Sequence, residues 1–108
     1  MPSAGKVSVE REIIFAPEAH TDLIEIYDYI AERADIVRAL GYVERITEHC
    51  LGLANFPERG IRRDDLRPGL RVTGFERRVS IAFHVTVTTV VVDRILYGGR
   101  DLEAHIKE

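Results

Sequence analysis

The sequence has few of the residues that mark disulfide-linked or membrane-spanning proteins. Its single cysteine, Cys50, cannot form an internal disulfide. The longest apolar run is interrupted by Asp93 and falls well short of the roughly 20 residues that span a bilayer. No segment near the N-terminus combines basic residues, an apolar run and a small-residue cleavage site. We therefore expect a cytoplasmic protein that does not enter membranes.

Residue sets that bind metals or cofactors are also missing. The histidines are widely separated, and none has a cysteine or carboxylate partner at ligand spacing. The sequence has neither a phosphate-binding glycine motif nor a nucleophilic serine motif. We expect no metal and no cofactor. The four histidines are His20, His49, His84 and His105.

Lysine is scarce, so arginine carries most of the positive charge. The only lysines are Lys6 and Lys107, near the two ends of the chain, and the formal net charge is −3. Residues 57–78 contain seven arginines and four acidic residues, whereas residues 1–35 contain three basic and eight acidic residues. This distribution suits a face that attracts an anionic partner, and it suits equally a solvated surface of salt bridges.

Length and composition fit a single domain. The chain has 108 residues, of which 45% are hydrophobic, and this is enough for one core without disulfides. Small residues dominate the first eight positions, so we expect a flexible N-terminal tail over residues 1–8 and one domain over residues 9–108.

A first amphipathic helix is predicted to begin at Pro17. Its apolar positions recur at steps of three and four as far as Ile30. The charged positions form an acidic stripe, which we expect on the solvated side, where carboxylates have no catalytic role. This stripe consists of Asp22, Glu25, Asp28 and Glu32.

A second amphipathic helix is predicted to follow Asp35, a suitable N-cap. Its apolar stripe runs from Ala39 to Leu53, and Phe56 extends the same spacing. Cys50 lies in this stripe, so we expect a buried, chemically inert thiol. Together the two helices form a hairpin that is able to cover one face of a sheet.

Four segments have the composition of strands: residues 9–15, 70–75, 78–85 and 90–96. The last is apolar without alternation, which is typical of an interior strand covered on both faces. Residues 57–69 contain two prolines and two glycines and are predicted to form a loop whose length suggests a binding role. Residues 102–108 are predicted to add one helical turn.

The end of the last strand is the strongest candidate for a functional site. A diglycine at positions 98–99 lets the backbone leave the strand and places Arg100 and Asp101 at its end. Arginine, histidine and tyrosine together supply what RNA cleavage requires, and His84 and Tyr97 would join Arg100 in this role. The alternative is that Tyr97 caps the core and His84 is an ordinary surface residue.

The order and spacing of residues along most of the chain give it a resemblance to a known family. The positions that carry this resemblance are Pro17, Ala19, Asp22, Leu23, Ile26, Tyr27, Tyr29, Ile30, Ala39, Ile46, Cys50, Leu53, Pro57, Gly60, Arg63 to Leu66, Pro68, Gly69, Leu70, Arg71, Ile95, Leu96, Gly98, Arg100 and Asp101. From about Ile14 to Asp101, the chain resembles the ParE-type toxins of bacterial type II toxin-antitoxin systems, within the RelE/ParE superfamily. ParE-like chains usually carry histidine before the glycine, where this chain has Tyr97.

The resemblance implies a two-layer α+β fold, β-α-α-β-β-β, with a helical hairpin packed on a mainly antiparallel four-stranded sheet in the order 1-4-3-2. It also implies a ParD-like antitoxin as partner in a hetero-oligomer, DNA contact only through that antitoxin, and DNA gyrase as the target. Growth arrest and plasmid stabilisation are the implied effects, without a catalytic site on the toxin. The candidate residues for binding target or antitoxin are Arg62, Arg63, Arg71, Arg78, Tyr97, Arg100 and Asp101.

The alternative function is that of a RelE-like ribosome-dependent mRNA endonuclease on the same fold. Such enzymes draw on lysines and arginines around the sheet, so the scarcity of lysine argues against one here. A reduced catalytic site would consist of Arg71, Arg78, Tyr97 and Arg100. A second alternative is a degenerate toxin that acts mainly within the antitoxin complex as a co-repressor of its operon. The fold does not separate these functions, because one scaffold supports several activities.

Overall fold

This computed structural model describes residues 11–106. These residues form a five-stranded sheet with a helical hairpin packed on one face. The predicted tail at residues 1–8 and the first two residues of the predicted strand 9–15 lie outside the described residues. The elements are β1 (Glu12–Phe15), α1 (Pro17–Arg33), α2 (Ile36–Leu51), a 3-10 turn (Gly52–Ala54), β2 (Ile61–Arg62), β3 (Arg71–Phe75), β4 (Val79–Val85), β5 (Thr89–Tyr97) and α3 (Leu102–Ile106).

The ends of the helical hairpin are set by local sequence. Pro17 occupies the first turn of α1, where backbone N–H groups have no acceptor within the helix, so the missing N–H of proline costs no hydrogen bond. The backbone N–H of Arg38 donates to the Asp35 carboxylate at 2.8 Å, so the predicted N-cap of α2 is confirmed. Only two residues separate α1 from α2, and helices joined so tightly pack antiparallel.

The sheet has the strand order β1-β5-β4-β3-β2, with β5 in its interior as predicted. β1 pairs with β5 in parallel, and the other neighbouring strands are antiparallel. β1 reaches only as far as the pair Phe15↔Val92, whereas β5 continues to Tyr97. Among residues 11–106, the C-terminal half of β5 therefore has no strand neighbour on the side away from β4.

The predicted count of four strands and the order 1-4-3-2 are wrong, because a further strand, β2, forms inside the predicted loop 57–69. Ile61 pairs with Val72 across this short ladder. A strand of two residues is too short to show an apolar period, so the sequence pattern gives no sign of it. Gly60 has a φ of 83° and a side chain there would overlap the Val72 carbonyl, so the ladder requires glycine at this position.

The main core lies between the hairpin and the sheet. Phe83, Val92 and Ile46 are fully buried there, and so is Cys50. Burial raises the pKa of the Cys50 thiol to about 12, in keeping with the predicted inert residue. Phe56, which was predicted to extend the apolar stripe of α2, is 59% exposed. That prediction is wrong because α2 ends at Leu51 and the 3-10 turn changes the direction of the chain.

A second, smaller cluster covers part of the opposite sheet face. Leu66, Leu70 and Ala82 are buried in it, and Leu102 and Ile106 of α3 pack against them. The predicted helical turn near the C-terminus is thus present as α3, and it packs on the face that the hairpin leaves uncovered.

Asp22 is buried, contrary to the predicted solvated stripe. It is only 4% exposed, and its carboxylate accepts two hydrogen bonds from Arg94, both at 2.8 Å, and one from the Ile95 N–H at 2.8 Å. The prediction fails because position 22 lies three residues after Ala19 and four before Ile26, which places it on the same buried face of the helix. The other members of the stripe, Glu25, Asp28 and Glu32, are exposed as predicted.

Removal of the buried carboxylate is expected to weaken the fold. Asp22→Ala leaves the Arg94 guanidinium and the Ile95 N–H without their partner, so the free energy of unfolding should fall by about 3 kcal/mol in urea titrations. Asp28→Ala removes an exposed carboxylate from the same helix and should change that free energy by less than about 0.5 kcal/mol. Equal losses for the two variants would contradict a central role for Asp22.

His49 is expected to make stability depend on pH. Burial, and to a lesser extent the nearby Arg59, lower the pKa of His49 in the folded chain, and its Nε2 is buried without a hydrogen-bond partner among residues 11–106. The unfolded chain therefore binds this proton more readily, so stability should fall as the pH drops below the ordinary histidine pKa of about 6.5. Thermal unfolding between pH 7.5 and 5.5 should show a smaller decrease for His49→Gln than for the parent chain. The exposed His20→Gln should keep the parent's decrease, and identical profiles for all three would contradict the assignment.

Candidate functional site

A cleft of about 420 Å³ opens beside the C-terminal end of β5, where β1 no longer covers the strand. α1 forms one wall, and the end of β5 with the following diglycine forms the other. We call this the β5 cleft, and its lining residues are Asp22, Glu25, Ile26, Tyr29, Arg78, Ile95, Tyr97, Gly98, Gly99 and Arg100. It therefore contains three of the predicted site residues, Arg78, Tyr97 and Arg100.

Backbone geometry holds the two arginine-bearing segments together. Gly98 and Gly99 both have a φ of 72°, a conformation that other residues seldom adopt, and they turn the chain from β5 towards Arg100. The Gly98 N–H donates to the Arg78 carbonyl at 2.7 Å. Arg78 and Arg100, which are 22 positions apart in the sequence, thus sit on segments joined by a hydrogen bond.

The tight turn before Arg78 is fixed by an ion pair. Glu76 and Arg77 have φ values of 49° and 65°, as in the type I′ turns that join antiparallel strands. The Glu76 carboxylate accepts hydrogen bonds from Arg45 of α2 at 3.0 and 3.2 Å, and this pairing lowers the pKa of Glu76. Arg78 therefore leaves the turn next to the hairpin, in reach of the β5 cleft.

Charge in the β5 cleft is only partly balanced. The Arg100 guanidinium lies 3.5 Å from the Glu25 carboxylate, and both side chains are about half exposed. Asp22 is already engaged by Arg94, whose guanidinium pKa this pairing raises. Arg78 is exposed and has no carboxylate within ion-pair distance among residues 11–106. The cleft therefore offers positive charge to an incoming anion.

An apolar groove of about 620 Å³ continues from the β5 cleft along the hairpin. We call it the hairpin groove, and it shares Arg78 and Tyr97 with the cleft. Ring contacts join the two spaces, because Tyr97 lies 5.4 Å from Tyr29 and 6.0 Å from Tyr42, measured between ring centroids. Its lining residues are Ile30, Val37, Arg38, Gly41, Tyr42, Arg45, Glu76, Arg78 and Tyr97.

Burial and neighbouring negative charge affect one ring of the hairpin groove. Burial, followed by the proximity of Tyr97 and Glu76, raises the pKa of Tyr42. Val37 at the groove's rim is 78% exposed and Tyr29 at the cleft is 43% exposed. Exposed apolar and aromatic surface of this kind, next to unpaired arginine, is typical of a protein-binding site.

Comparison with known proteins identifies the family. Residues 13–102 match the family model of the ParE toxin of the type II toxin-antitoxin system parDE. The chain belongs to the ParE toxin family. Among solved structures it is similar to the chromosomal ParDE TA system from P. aeruginosa, with a TM-score of 0.73, 27% sequence identity, and coverage of 84% of this chain and 99% of that chain. No curated protein sequence gives a significant match.

The other predicted residues of this ParE toxin lie away from the cleft. Arg71 is at the far end of the strands, because it pairs with Phe83 whereas Tyr97 pairs with Val79. The difference of four residues along β4 corresponds to about 13 Å. The Arg71 guanidinium donates to the carbonyls of Glu58 and Arg59, which holds the segment before β2 in place. Of the four residues of the reduced nuclease site, Arg71 is thus not in the cleft.

Arg62, Arg63 and Asp101 also have local partners. Arg62 pairs with Asp64 at 3.0 Å and Arg63 with Asp65 at 2.8 Å, both near the β2 edge of the sheet. The Gly69 N–H, together with Arg62, lowers the pKa of Asp64. Asp101 accepts a hydrogen bond from the Glu103 N–H at 3.1 Å at the start of α3.

A polar contact on the opposite sheet face escaped the sequence analysis. Asp93 has no strand partner, because Ala82 pairs with Arg94 and Phe83 with Val92, and this bulge frees its side chain. The Asp93 carboxylate is 2.8 Å from His84 Nδ1 and 3.3 Å from Arg67. His84 therefore belongs to this contact and not to the β5 cleft. The signal in the sequence was the single acidic residue that interrupts the apolar run.

The structure describes no metal site and no membrane-crossing helix. Within residues 11–106, histidine, cysteine and carboxylate side chains do not cluster as a metal-binding group. None of the described helices has the length and apolar character that a membrane crossing needs.

Two arginine variants are expected to separate a structural from a functional role. Arg71→Ala should lower the free energy of unfolding by about 1–2 kcal/mol, because carbonyls of the segment before β2 lose a charged donor. Arg100→Ala should change stability by less than about 0.5 kcal/mol, because its ion pair is exposed, yet it should reduce any effect that expression of the parent chain has on cell growth. Urea titrations and growth curves of both variants check this, and the reverse pattern would place the site near β2.

Proposed function

We propose that this ParE family member arrests growth by acting on DNA gyrase in the cytoplasm and that a ParD-like antitoxin neutralises it in a hetero-oligomer. Plasmid stabilisation is the cellular role that this pairing supports. Membership of the ParE toxin family and the likeness to a solved ParDE system support the toxin-antitoxin part of this proposal.

The hairpin groove is the observation that carries the antitoxin proposal. It joins the β5 cleft through Arg78 and Tyr97, so that one continuous surface offers both apolar side chains and arginines. An amphipathic helix binds such a groove through its apolar face, and acidic side chains flanking that face meet the arginines. Val37 and Tyr29 provide exposed contact surface that a partner would bury. We expect DNA to contact only the antitoxin, which would cover the arginines of the β5 cleft and of the hairpin groove.

The chemistry of the β5 cleft favours a contact role over catalysis. A general base must be free to take a proton, but the buried Asp22 carboxylate is held by two hydrogen bonds from Arg94. No lysine or histidine lines the cleft among the described residues. Arginine and tyrosine, which do line it, are the residue types that recur at the centres of protein interfaces.

A RelE-like mRNA endonuclease is the second candidate. It is favoured by the meeting of Arg78, Tyr97 and Arg100 in one cleft, where two guanidinium groups are able to stabilise a phosphoryl transition state. Its weakness is that Arg71, the fourth residue of that set, is bound to backbone carbonyls elsewhere.

Purified toxin should decide between the two targets. We expect it to inhibit DNA supercoiling by purified gyrase and to accumulate cleaved DNA-gyrase complexes, and Arg100→Ala should require a higher concentration for the same effect. Arg62→Ala, an exposed arginine at the far edge of the sheet, is the matched control and should behave as the parent chain.

The nuclease alternative is tested in the same preparation. Ribosomes carrying a defined mRNA are incubated with the toxin, and the 5′ ends of the fragments are mapped. Intact mRNA together with inhibited gyrase supports the proposal. Cleavage of mRNA in the ribosome with unchanged gyrase activity would overturn it, as would absence of both effects.

A further inference from the structure

The two arginines of the β5 cleft form an anion site that is partly occupied by a carboxylate of the protein itself. We propose that Glu25 holds Arg100 only until the antitoxin binds, when an acidic side chain of the antitoxin replaces Glu25 and lies between Arg100 and Arg78. This inference rests on the antitoxin-binding function proposed above, and it identifies the chemistry of the partner at this end of the groove.

The contact between Glu25 and Arg100 is weak enough to be exchanged. Its closest N–O distance is 3.5 Å, and the two side chains are 54% and 51% exposed. One helical turn earlier, Asp22 and Arg94 show what a permanent pair looks like, with two hydrogen bonds of 2.8 Å and a carboxylate that is 4% exposed. Exposed ion pairs contribute little to stability, so a carboxylate that binds a second arginine as well is able to displace Glu25.

Arg78 supplies that second arginine. Its backbone carbonyl accepts the 2.7 Å hydrogen bond from the Gly98 N–H, and it has no ion-pair partner among residues 11–106. The side of the cleft between the arginines is bare backbone, since a Cβ added to Gly98 or Gly99 would meet nothing within 4 Å. An incoming carboxylate is therefore able to approach both guanidinium groups without a steric obstacle.

An acidic peptide fits the surroundings better than a nucleic acid. The adjoining hairpin groove is lined by Ile30, Val37 and Tyr42, which suit apolar side chains. A nucleic acid would bring a row of phosphates past the carboxylates of Glu25 and Glu76 and past a chain whose net charge is −3. A segment with apolar residues and one well-placed carboxylate avoids this repulsion.

Calorimetric titration with a purified peptide from the cognate antitoxin tests the inference. Glu25→Gln should tighten binding about threefold to fivefold, because Arg100 is freed of its internal partner. Arg100→Ala should weaken binding about tenfold. In the Arg100→Ala background, Glu25→Gln should have no effect on binding, because Glu25 influences binding only through its ion pair with Arg100.

Glu32→Gln is the matched control. Glu32 lies on the same helix and pairs with Arg33 at 3.8 Å, away from the cleft, so this variant makes the same change in net charge and should bind as the parent chain. An equal gain in affinity for Glu32→Gln would show that the gain comes from the change in net charge alone, and it would overturn the inference. So would unchanged binding in Glu25→Gln, or a gain that persists without Arg100.

Two further measurements separate the sources of failure. Replacing the acidic residues of the peptide one at a time by their amides should reveal one position at which Glu25→Gln no longer matters. A single-stranded oligonucleotide that binds the Glu25→Gln variant in place of the peptide would overturn the inference. If the parent chain does not bind the antitoxin peptide at all, the proposed function itself fails, and this outcome is distinct from binding that ignores Glu25.

Discussion

The buried carboxylate of Asp22 fixes the positions of the helical hairpin, the central strand and the C-terminal helix relative to one another. β1 ends opposite Val92, so the next part of β5 has an edge without a neighbouring strand. Asp22, on α1, takes the place of a neighbouring strand there. Its carboxylate accepts hydrogen bonds from the Ile95 N–H and from two nitrogen atoms of the Arg94 guanidinium group. Arg94 also donates to the His105 carbonyl of α3 at 3.3 Å. Because buried charges are stable only when paired and hydrogen-bonded, these three elements keep one relative position.

This arrangement also determines where a partner is able to bind. A strand added along the open edge of β5 would have to compete with Asp22 for the Ile95 N–H, so that edge is already closed by a side chain. Beyond Ile95 the edge opens into the β5 cleft, where Tyr97 and the diglycine lie between α1 and the turn that carries Arg78. At this end of β5, the fold therefore leaves side-chain contacts in the cleft and the hairpin groove open to a partner.

The sequence predicted the elements with strong periodicity and missed those that depend on distant contacts. Both long helices, the Asp35 cap and the interior position of the last strand follow from local spacing and capping chemistry. β2 was not predicted because a strand of two residues is too short to show a periodic pattern. Phe56 was wrongly assigned to the buried stripe because a 3-10 turn follows the end of α2. The spacing from Ala19 and Ile26 places Asp22 on the buried face of α1, but its partner Arg94 is 72 positions away, and no local pattern shows that partner. In the candidate site, the sequence pointed to several arginines, but only the fold separates Arg71 from Arg78 and Arg100.

A partner that binds at the β5 cleft must change the chemical environment of the residues that line it, and nuclear magnetic resonance measures this most directly. Uniformly ¹⁵N-labelled toxin is titrated with unlabelled antitoxin while backbone amide and arginine Nε signals are followed. We predict that the largest shifts occur at the amides of Gly98 and Gly99 and at Nε of Arg78 and Arg100, with little change at Arg62 on the far edge. Shifts concentrated around β2, with the diglycine amides unmoved, would contradict the account.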